Sequence, residues 1–248
     1  MKQVVYIICL VFLLGCSGEN VPDCFQTAGQ ILQQSVPVSD FDRILVNRDI
    51  ELILKQDDAI SVVIETGENL LSDVSAKVVN GQLVLTDANS CNYVRDYGIT
   101  KIYVSAPHIT EIKTSTQYDI RSDGTLNYPN LTLLAENFNA PDTFPVGDFR
   151  LDLNSQTIRI VSNNLSFFYL SGFTANLNVN FAEGNGRFEG ANLIADTVVI
   201  NHRGTNDMVV NPQMSLTGVI RSTGNVVSKN TPPVVDVEEL FTGSLIFD

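Results

Sequence analysis

The sequence predicts an all-β fold, a right-handed β-helix-like β-solenoid preceded by a set of antiparallel strands. Short segments alternate apolar with polar residues and are separated by Asn, Gly, Ser and Asp turns, and none keeps a helical period. Three such segments start at Glu111, Leu131 and Leu151, about 20 residues apart. Later starts fall at Leu177, Val198 and Gly218. A period of this length, built from strands and turns, is typical of a stacked β-solenoid.

Residues 1–15 are predicted to be a lipoprotein signal peptide. Lys2 supplies the positive start, and the apolar run over residues 4–14 is too short to cross a bilayer. It ends in Leu13-Leu14-Gly15-Cys16, which resembles a bacterial lipobox, in which the Cys is lipidated and becomes the first mature residue. We therefore expect lipidation at Cys16 and a lipidated tether over residues 16–22. An ordinary secretory signal that happens to contain Cys is the alternative.

The cysteine count predicts one disulfide. Of four Cys, Cys9 leaves with the signal and Cys16 carries lipid, so Cys24 and Cys91 remain as an even pair in an oxidising compartment. Closing that loop stabilises the fold by roughly 4 kcal/mol in the loop-entropy description. Two free buried thiols are the alternative.

The charge balance excludes two classes of partner. The chain has 15 basic and 28 acidic residues, for a net charge of −13. Nucleic acid needs a basic footprint, and anionic lipid surfaces also repel an acidic protein. We therefore expect no nucleic-acid partner, and contact with a membrane only through the N-terminal lipid anchor.

The rest of the chain divides into two predicted regions. Residues 23–107 are read as the antiparallel strands, with a hairpin at Asn80-Gly81, because both residues accept positive φ. Residues 108–248 are read as the solenoid repeats. The stretch 231–247 is expected to be a C-terminal cap, since the last rung of a solenoid needs a cover.

No catalytic or metal-binding pattern stands out. His108 and His202 have no second ligand at metal spacing, so both are expected in turns or at the surface, with no metal and no cofactor. No Gly-x-Ser-x-Gly elbow occurs. The enzyme alternative is a polysaccharide-active solenoid that places Asp119, Asp148 and Asp152 on neighbouring rungs.

The candidate binding residues are Tyr93, Arg95 and Tyr97. They lie beside Cys91, and Tyr and Arg are enriched in the energetically dominant parts of interfaces. The plainer alternative is that one Tyr packs on the core while Arg95 pairs with Asp96.

The order of several short pieces resembles one family, the auto-transporter adhesins with a head GIN domain found in Bacteroidetes lipoproteins. The resemblance covers residues 23–248 as one domain, and these pieces carry it: Asp23-Cys24-Phe25, Phe41-Asp42-Arg43-Ile44, Gly67-Glu68-Asn69-Leu70-Leu71, Asn80-Gly81-Gln82-Leu83, Cys91-Asn92-Tyr93-Val94-Arg95 and Ser222-Thr223-Gly224-Asn225-Val226. It implies a β-solenoid-like fold, an adhesive role and no catalytic residues.

Taken together, these features predict a surface-exposed lipoprotein that acts as an adhesin or binding module, not an enzyme. Its partner would be a host or matrix protein or a glycan. Its place would be the cell envelope, at the outer membrane and facing the cell surface. A structural scaffold of the envelope without a ligand is the first alternative, and the polysaccharide-active enzyme is the second.

Overall fold

The computed structural model describes residues 23–89 and 91–248. The predicted signal peptide, Cys16 and the tether therefore lie outside the described residues. The described part consists of β-strands and two short 3-10 turns, Asp23–Phe25 and Leu71–Asp73. The predicted all-β class is confirmed. Within the described residues there is no helix of the length and apolarity that a membrane crossing requires.

Seventeen strands are hydrogen-bonded into one sheet. In chain order they are β1 (Ile31–Ser35), β2 (Arg43–Val46), β3 (Glu51–Gln56), β4 (Ser61–Gly67), β5 (Val74–Val79), β6 (Gln82–Asp87), β7 (Lys101–Ala106), β8 (Glu111–Thr114), β9 (Ile120–Leu126), β10 (Asn130–Ala135), β11 (Phe149–Ser162), β12 (Phe167–Phe181), β13 (Arg187–His202), β14 (Met208–Ile220), β15 (Val226–Ser228), β16 (Val234–Glu239) and β17 (Leu245–Phe247).

The pairings arrange these strands in two ladders. The first ladder runs β5-β6-β2-β8-β10 and continues through the second halves of β11 to β14 to β16. The second ladder runs β1-β4-β7-β3-β9 and continues through the first halves of β11 to β14 to β15 and β17. From β11 onward, neighbouring strands are parallel and their paired residues are about 20 residues apart, as the sequence period predicted.

The core is formed by the inward-facing residues of both ladders. On β11 to β13, alternate side chains are buried, because successive residues of a strand point to opposite faces. Phe149 and Phe168, paired across β11 and β12, stack with ring centroids 4.9 Å apart. Phe168 lies in the first half of β12, which belongs to the second ladder, whereas Leu177 lies in the second half, which belongs to the first ladder.

The predicted register is wrong at three steps. Glu111 pairs with Thr132 in place of Leu131, and Val198 pairs with Leu216 in place of Gly218, which are shifts of one and two residues. The third error is larger. The sequence period placed Leu131 beside Leu151, but the structure pairs Leu131 with Ile158 and Leu151 with Leu170. The cause is the loop over residues 136–148, which lies between β10 and β11 and lengthens this one step. The apparent equal spacing joined strands that belong to different ladders.

The predicted antiparallel character of residues 23–107 is correct only in part. The Asn80-Gly81 hairpin is present: β5 and β6 are antiparallel, and both turn residues have positive φ. In contrast, β2 is parallel to β6 and β8, and β3 is parallel to β7 and β9. β3 and β4 are not paired with each other, because β7 lies between them.

The C-terminal residues extend both ladders. β16, which follows Pro233, pairs in parallel with β14, and β17 pairs in parallel with β15. No other register among the described residues includes either strand. The stretch that was expected to be a cap thus forms the last layer of the stack.

Candidate functional site

The loop between β6 and β7 carries the predicted binding residues and is held at several points. A disulfide joins Cys24 to Cys91, as the cysteine count predicted. Next to it, the backbone N–H of Tyr93 donates to the Cys24 carbonyl at 2.9 Å. The Asn92 carboxamide accepts from the Arg95 N–H at 2.9 Å and donates to the Arg95 carbonyl at 2.8 Å. Side-chain bonds of this kind fix a turn without regular secondary structure.

Arg95 takes part in this bracing. Its guanidinium nitrogens donate to the carbonyl of Gln26 at 3.3 Å and to that of Asn89 at 3.4 Å. The side chain is half-buried. Arg95 therefore ties the loop to the segment that follows Cys24, a role that the sequence did not suggest.

Tyr93 and Tyr97 point to solvent. Their side chains are 74% and 76% exposed, so neither packs in the core. Phe25 lies against Tyr93, with ring centroids 5.8 Å apart, and Val94 is also exposed. We call Phe25, Tyr93, Val94 and Tyr97 the aromatic patch. Sequence reasoning missed Phe25, although its position next to Cys24 places it beside Cys91 once the disulfide is assumed.

A pocket of about 180 Å³ lies beside the aromatic patch. Its lining includes three carboxylates, from Asp49, Asp87 and Asp96, together with Arg95 and Tyr97. The Asp87 carboxylate already accepts from the Thr100 hydroxyl at 2.7 Å. With more acidic than basic groups in its lining, the pocket suits an amine or guanidinium of a ligand better than an anion.

Tyr118 lies close to this pocket, against Gly98. Burial raises the pKa of the Tyr118 hydroxyl above its ordinary value, and the negative charge of Asp49 adds to the rise. The phenol is therefore neutral at physiological pH.

The carboxylates of the enzyme alternative form a charged network. Arg150 contacts both Asp119, at 2.9 Å, and Asp148, at 3.1 Å, where β9 and β11 begin. Arg121 also contacts Asp119, and Asp152 accepts from a threonine hydroxyl. Burial raises the pKa of Asp148, opposed by the Phe167 N–H, while the charge of Asp119 adds to the rise. Glycoside hydrolysis needs one carboxyl group that donates a proton and a second carboxylate that acts as nucleophile or base. Asp119 and Asp148 instead both form ion pairs with Arg150, an arrangement that serves to hold β9 and β11 together.

The two histidines differ in their surroundings. His108 is exposed, as expected, but His202 at the end of β13 is fully buried, so its predicted place at the surface is wrong. The His202 ring lies edge-on to Phe181, with centroids 6.0 Å apart, and neither ring nitrogen makes a hydrogen bond of ordinary geometry. Burial lowers the pKa of His202. Among residues 23–89 and 91–248, no three His, Cys, Asp or Glu side chains are grouped as a metal site requires.

These features define a class: an all-β protein with an exposed aromatic loop that is braced by a disulfide. The family described as "Putative auto-transporter adhesin, head GIN domain" matches residues 40–232. The chain belongs to this family. No curated protein is significantly similar to it in sequence.

Solved structures share the fold. A "putative adhesin" from Bacteroides fragilis has a TM-score of 0.79 at 18% identity, over 90% of this chain and 99% of that one. A "putative lipid binding protein" from Parabacteroides distasonis has a TM-score of 0.63 at 15% identity, over 89% and 97%. A "putative adhesin" from Parabacteroides merdae has a TM-score of 0.60 at 14% identity, over 88% and 97%. At these identities the likeness concerns the fold alone.

Proposed function

We propose that this chain is a surface-exposed lipoprotein that acts as an adhesin, and that the aromatic patch is its contact surface. The observation that carries the proposal is the exposure of Tyr93 and Tyr97 on a loop held by a disulfide. Aromatic side chains that are grouped on the surface and exposed to solvent contribute little to packing, and they are typical of sites that bind a partner. The family name is consistent with a binding role.

The bracing of the loop supports this proposal energetically. Ordering a mobile side chain or loop on binding costs about 0.5–1.5 kcal/mol per side chain. The disulfide, the Asn92 turn and the Arg95 hydrogen bonds already restrict this loop in the free protein. In this account Arg95 positions the patch, while Tyr93 and Tyr97 make the contact.

The partner would be a host or matrix protein or a glycan. The acidic pocket next to Tyr97 favours a partner that brings a positively charged group to this point. Tyrosine rings serve either kind of partner, since each combines an apolar face with a hydroxyl.

The test is a double substitution, Tyr93→Ala with Tyr97→Ala, in the full mature domain. Attachment to host cells or matrix should weaken by about tenfold or more, because hot-spot side chains are each worth about 2 kcal/mol. Phe138→Ala is the matched control, since Phe138 is an exposed aromatic residue outside the patch. Thermal unfolding should be unchanged in both variants.

Two results would count against the proposal. If the double variant attaches like the parent and melts at the same temperature, the patch is the wrong surface. If the parent attaches to nothing, the envelope-scaffold alternative replaces the adhesin.

Anchoring through Cys16 belongs to the same proposal. A cell-surface or envelope location is what the adhesin-like family suggests, and the lipobox-like sequence supplies a means of attachment. Cys16→Ala should abolish metabolic labelling by a fatty acid and release the protein from the membrane fraction. Continued labelling of the variant would show that the lipid is elsewhere.

We also interpret the two ladders as faces of a right-handed β-solenoid. The parallel pairing and the repeat of about 20 residues from β11 to β16 support that description. In such a solenoid the patch would lie at the end next to the anchor, because Phe25 follows Cys16 by nine residues, and β16 and β17 would lie at the far end.

A further inference from the structure

The C-terminal end of the stack is an unpaired layer of the core. Val235 of β16 pairs with buried Leu216, and Leu245 of β17 pairs with buried Val226. Each therefore continues a column of core side chains by one position. Among the described residues no further strand pairs with β16 or β17, and Val235 is 42% exposed. We call β16 and β17 together the terminal layer.

The backbone of β16 is also open on one side. The Leu240 N–H donates to the Ile220 carbonyl at 2.8 Å, which places the bonds to β14 on the even-numbered residues. Alternate residues of a parallel strand bond to the same neighbour, so the N–H and C=O groups of Val235 and Val237 point to the open side. Such a row of groups is a template for one more strand.

Charge decides which kind of strand fits. The outward side chains of β16 include Asp236 and Glu238, and β16 and β17 contain no Lys or Arg. Two copies of this chain that paired through β16 would bring these carboxylates together, and like charges facing each other are destabilising. A partner strand with basic residues at the outward positions would complement them.

We propose that the terminal layer binds an extended polypeptide segment in which apolar and basic residues alternate. Its backbone would pair with the open side of β16, as in strand addition elsewhere. Its apolar residues would cover Val235 and Val237, and its Lys or Arg residues would lie beside Asp236 and Glu238. The overall net charge of −13 would speed the encounter.

The test uses two synthetic peptides of about ten residues, one alternating Val with Lys and the other alternating Val with Glu. Titration calorimetry with the mature domain should show the Lys peptide binding at least about tenfold more tightly, and salt near 0.5 M should reduce the difference. The charge-reversed variant D236K/E238K should prefer the Glu peptide. The control D142K/E183K has the same net charge at exposed positions away from the terminal layer and should still prefer the Lys peptide.

A second variant tests the backbone pairing. Val235→Pro removes an N–H on the open side and keeps the bonds to β14, so the fold should persist and peptide binding should be lost. Tyr93→Ala with Tyr97→Ala should bind the Lys peptide like the parent, which separates this proposal from the aromatic patch.

Three results would overturn the proposal. The first is that neither peptide binds, and the second is that the Lys peptide binds D236K/E238K as tightly as the parent. The third is a dimer in sedimentation that Val235→Pro dissociates, which would make a second copy of the chain the occupant.

Discussion

The two ends of the stack are built differently. At the N-terminal end the chain reverses: β5 pairs with β6, and β1 with β4, in antiparallel fashion, and the disulfide ties Cys24 to the loop after β6. At the C-terminal end β16 and β17 run parallel to their neighbours and stop. Within the described residues, β16 and β17 have one neighbouring strand each and no disulfide joins them to another part of the fold. Both ends therefore have edge strands, β1 and β5 at one end and β16 and β17 at the other, but among the described residues only the N-terminal end is held by a disulfide and by the Asn80-Gly81 hairpin.

The largest expected effect on stability comes from removing the disulfide between Cys24 and Cys91. Replacing Cys24 and Cys91 by Ser should lower the free energy of unfolding by up to about 4 kcal/mol, because the unfolded chain regains the freedom of a long loop. Urea unfolding measures the loss. Hydrogen exchange should speed up in β1 and in the loop before β7, while β16 and β17 keep their parent rates.

Chemical reduction of the parent is the control for that comparison. It opens the same bond without changing any side chain except the two thiols, so its exchange pattern should match that of the double variant. Equal acceleration at both ends would mean that the disulfide stabilises the whole stack and that the two ends are not independent.

An acid-sensitive position lies near the C-terminal end of the stack. His202 pairs with Ile220 beneath the terminal layer, and its buried ring has a pKa lowered from the ordinary 6.5. The unfolded chain therefore binds a proton more readily than the folded one. The free energy of unfolding is therefore not reduced by His202 above about pH 6.5. It decreases as the pH falls from the pKa of the unfolded state towards that of the folded state.

His202→Leu should remove this decline and flatten the stability profile below about pH 6.5, where the unfolded His binds a proton and the folded one does not. His108→Leu is the control, since His108 is exposed and should leave the profile unchanged. Urea unfolding at a series of pH values measures both. An unchanged decline in His202→Leu would assign the acid sensitivity to another group.

Local and periodic signals predicted much of this fold. The Asn80-Gly81 hairpin, the repeat of about 20 residues and the disulfide each rest on a turn preference, a spacing or a count. Pairings between distant strands, such as β7 between β3 and β4, leave no local trace because they depend on the whole fold. The pairing of Leu131 with Ile158 was also missed, because the loop over residues 136–148 makes this step longer than the others.

For the candidate site, the sequence indicated the correct loop but not which of its residues are exposed and which hold the loop in place. Tyr93 and Tyr97 are exposed, whereas Arg95 braces the loop through main-chain carbonyls that no pattern locates. The burial of His202 did have a signal. Val198 and Ile200 are inward-facing, and strand alternation places His202 on the same face.

The smallest expected effect on stability comes from substitutions at Gly81, in the turn between β5 and β6. Gly81 has φ 75°, and an added Cβ would meet only ordinary contacts with Asp42 and Arg43. Gly81→Ala should therefore cost about 1–2 kcal/mol, from the left-handed backbone conformation alone. Gly81→Asn should cost less, because Asn accepts this conformation more readily than Ala does. Both variants should speed hydrogen exchange in β5 and leave β16 unchanged. Equal losses in the two variants would point to a steric contact in place of the backbone, and faster exchange in β16 would show that the first ladder unfolds as one unit from end to end.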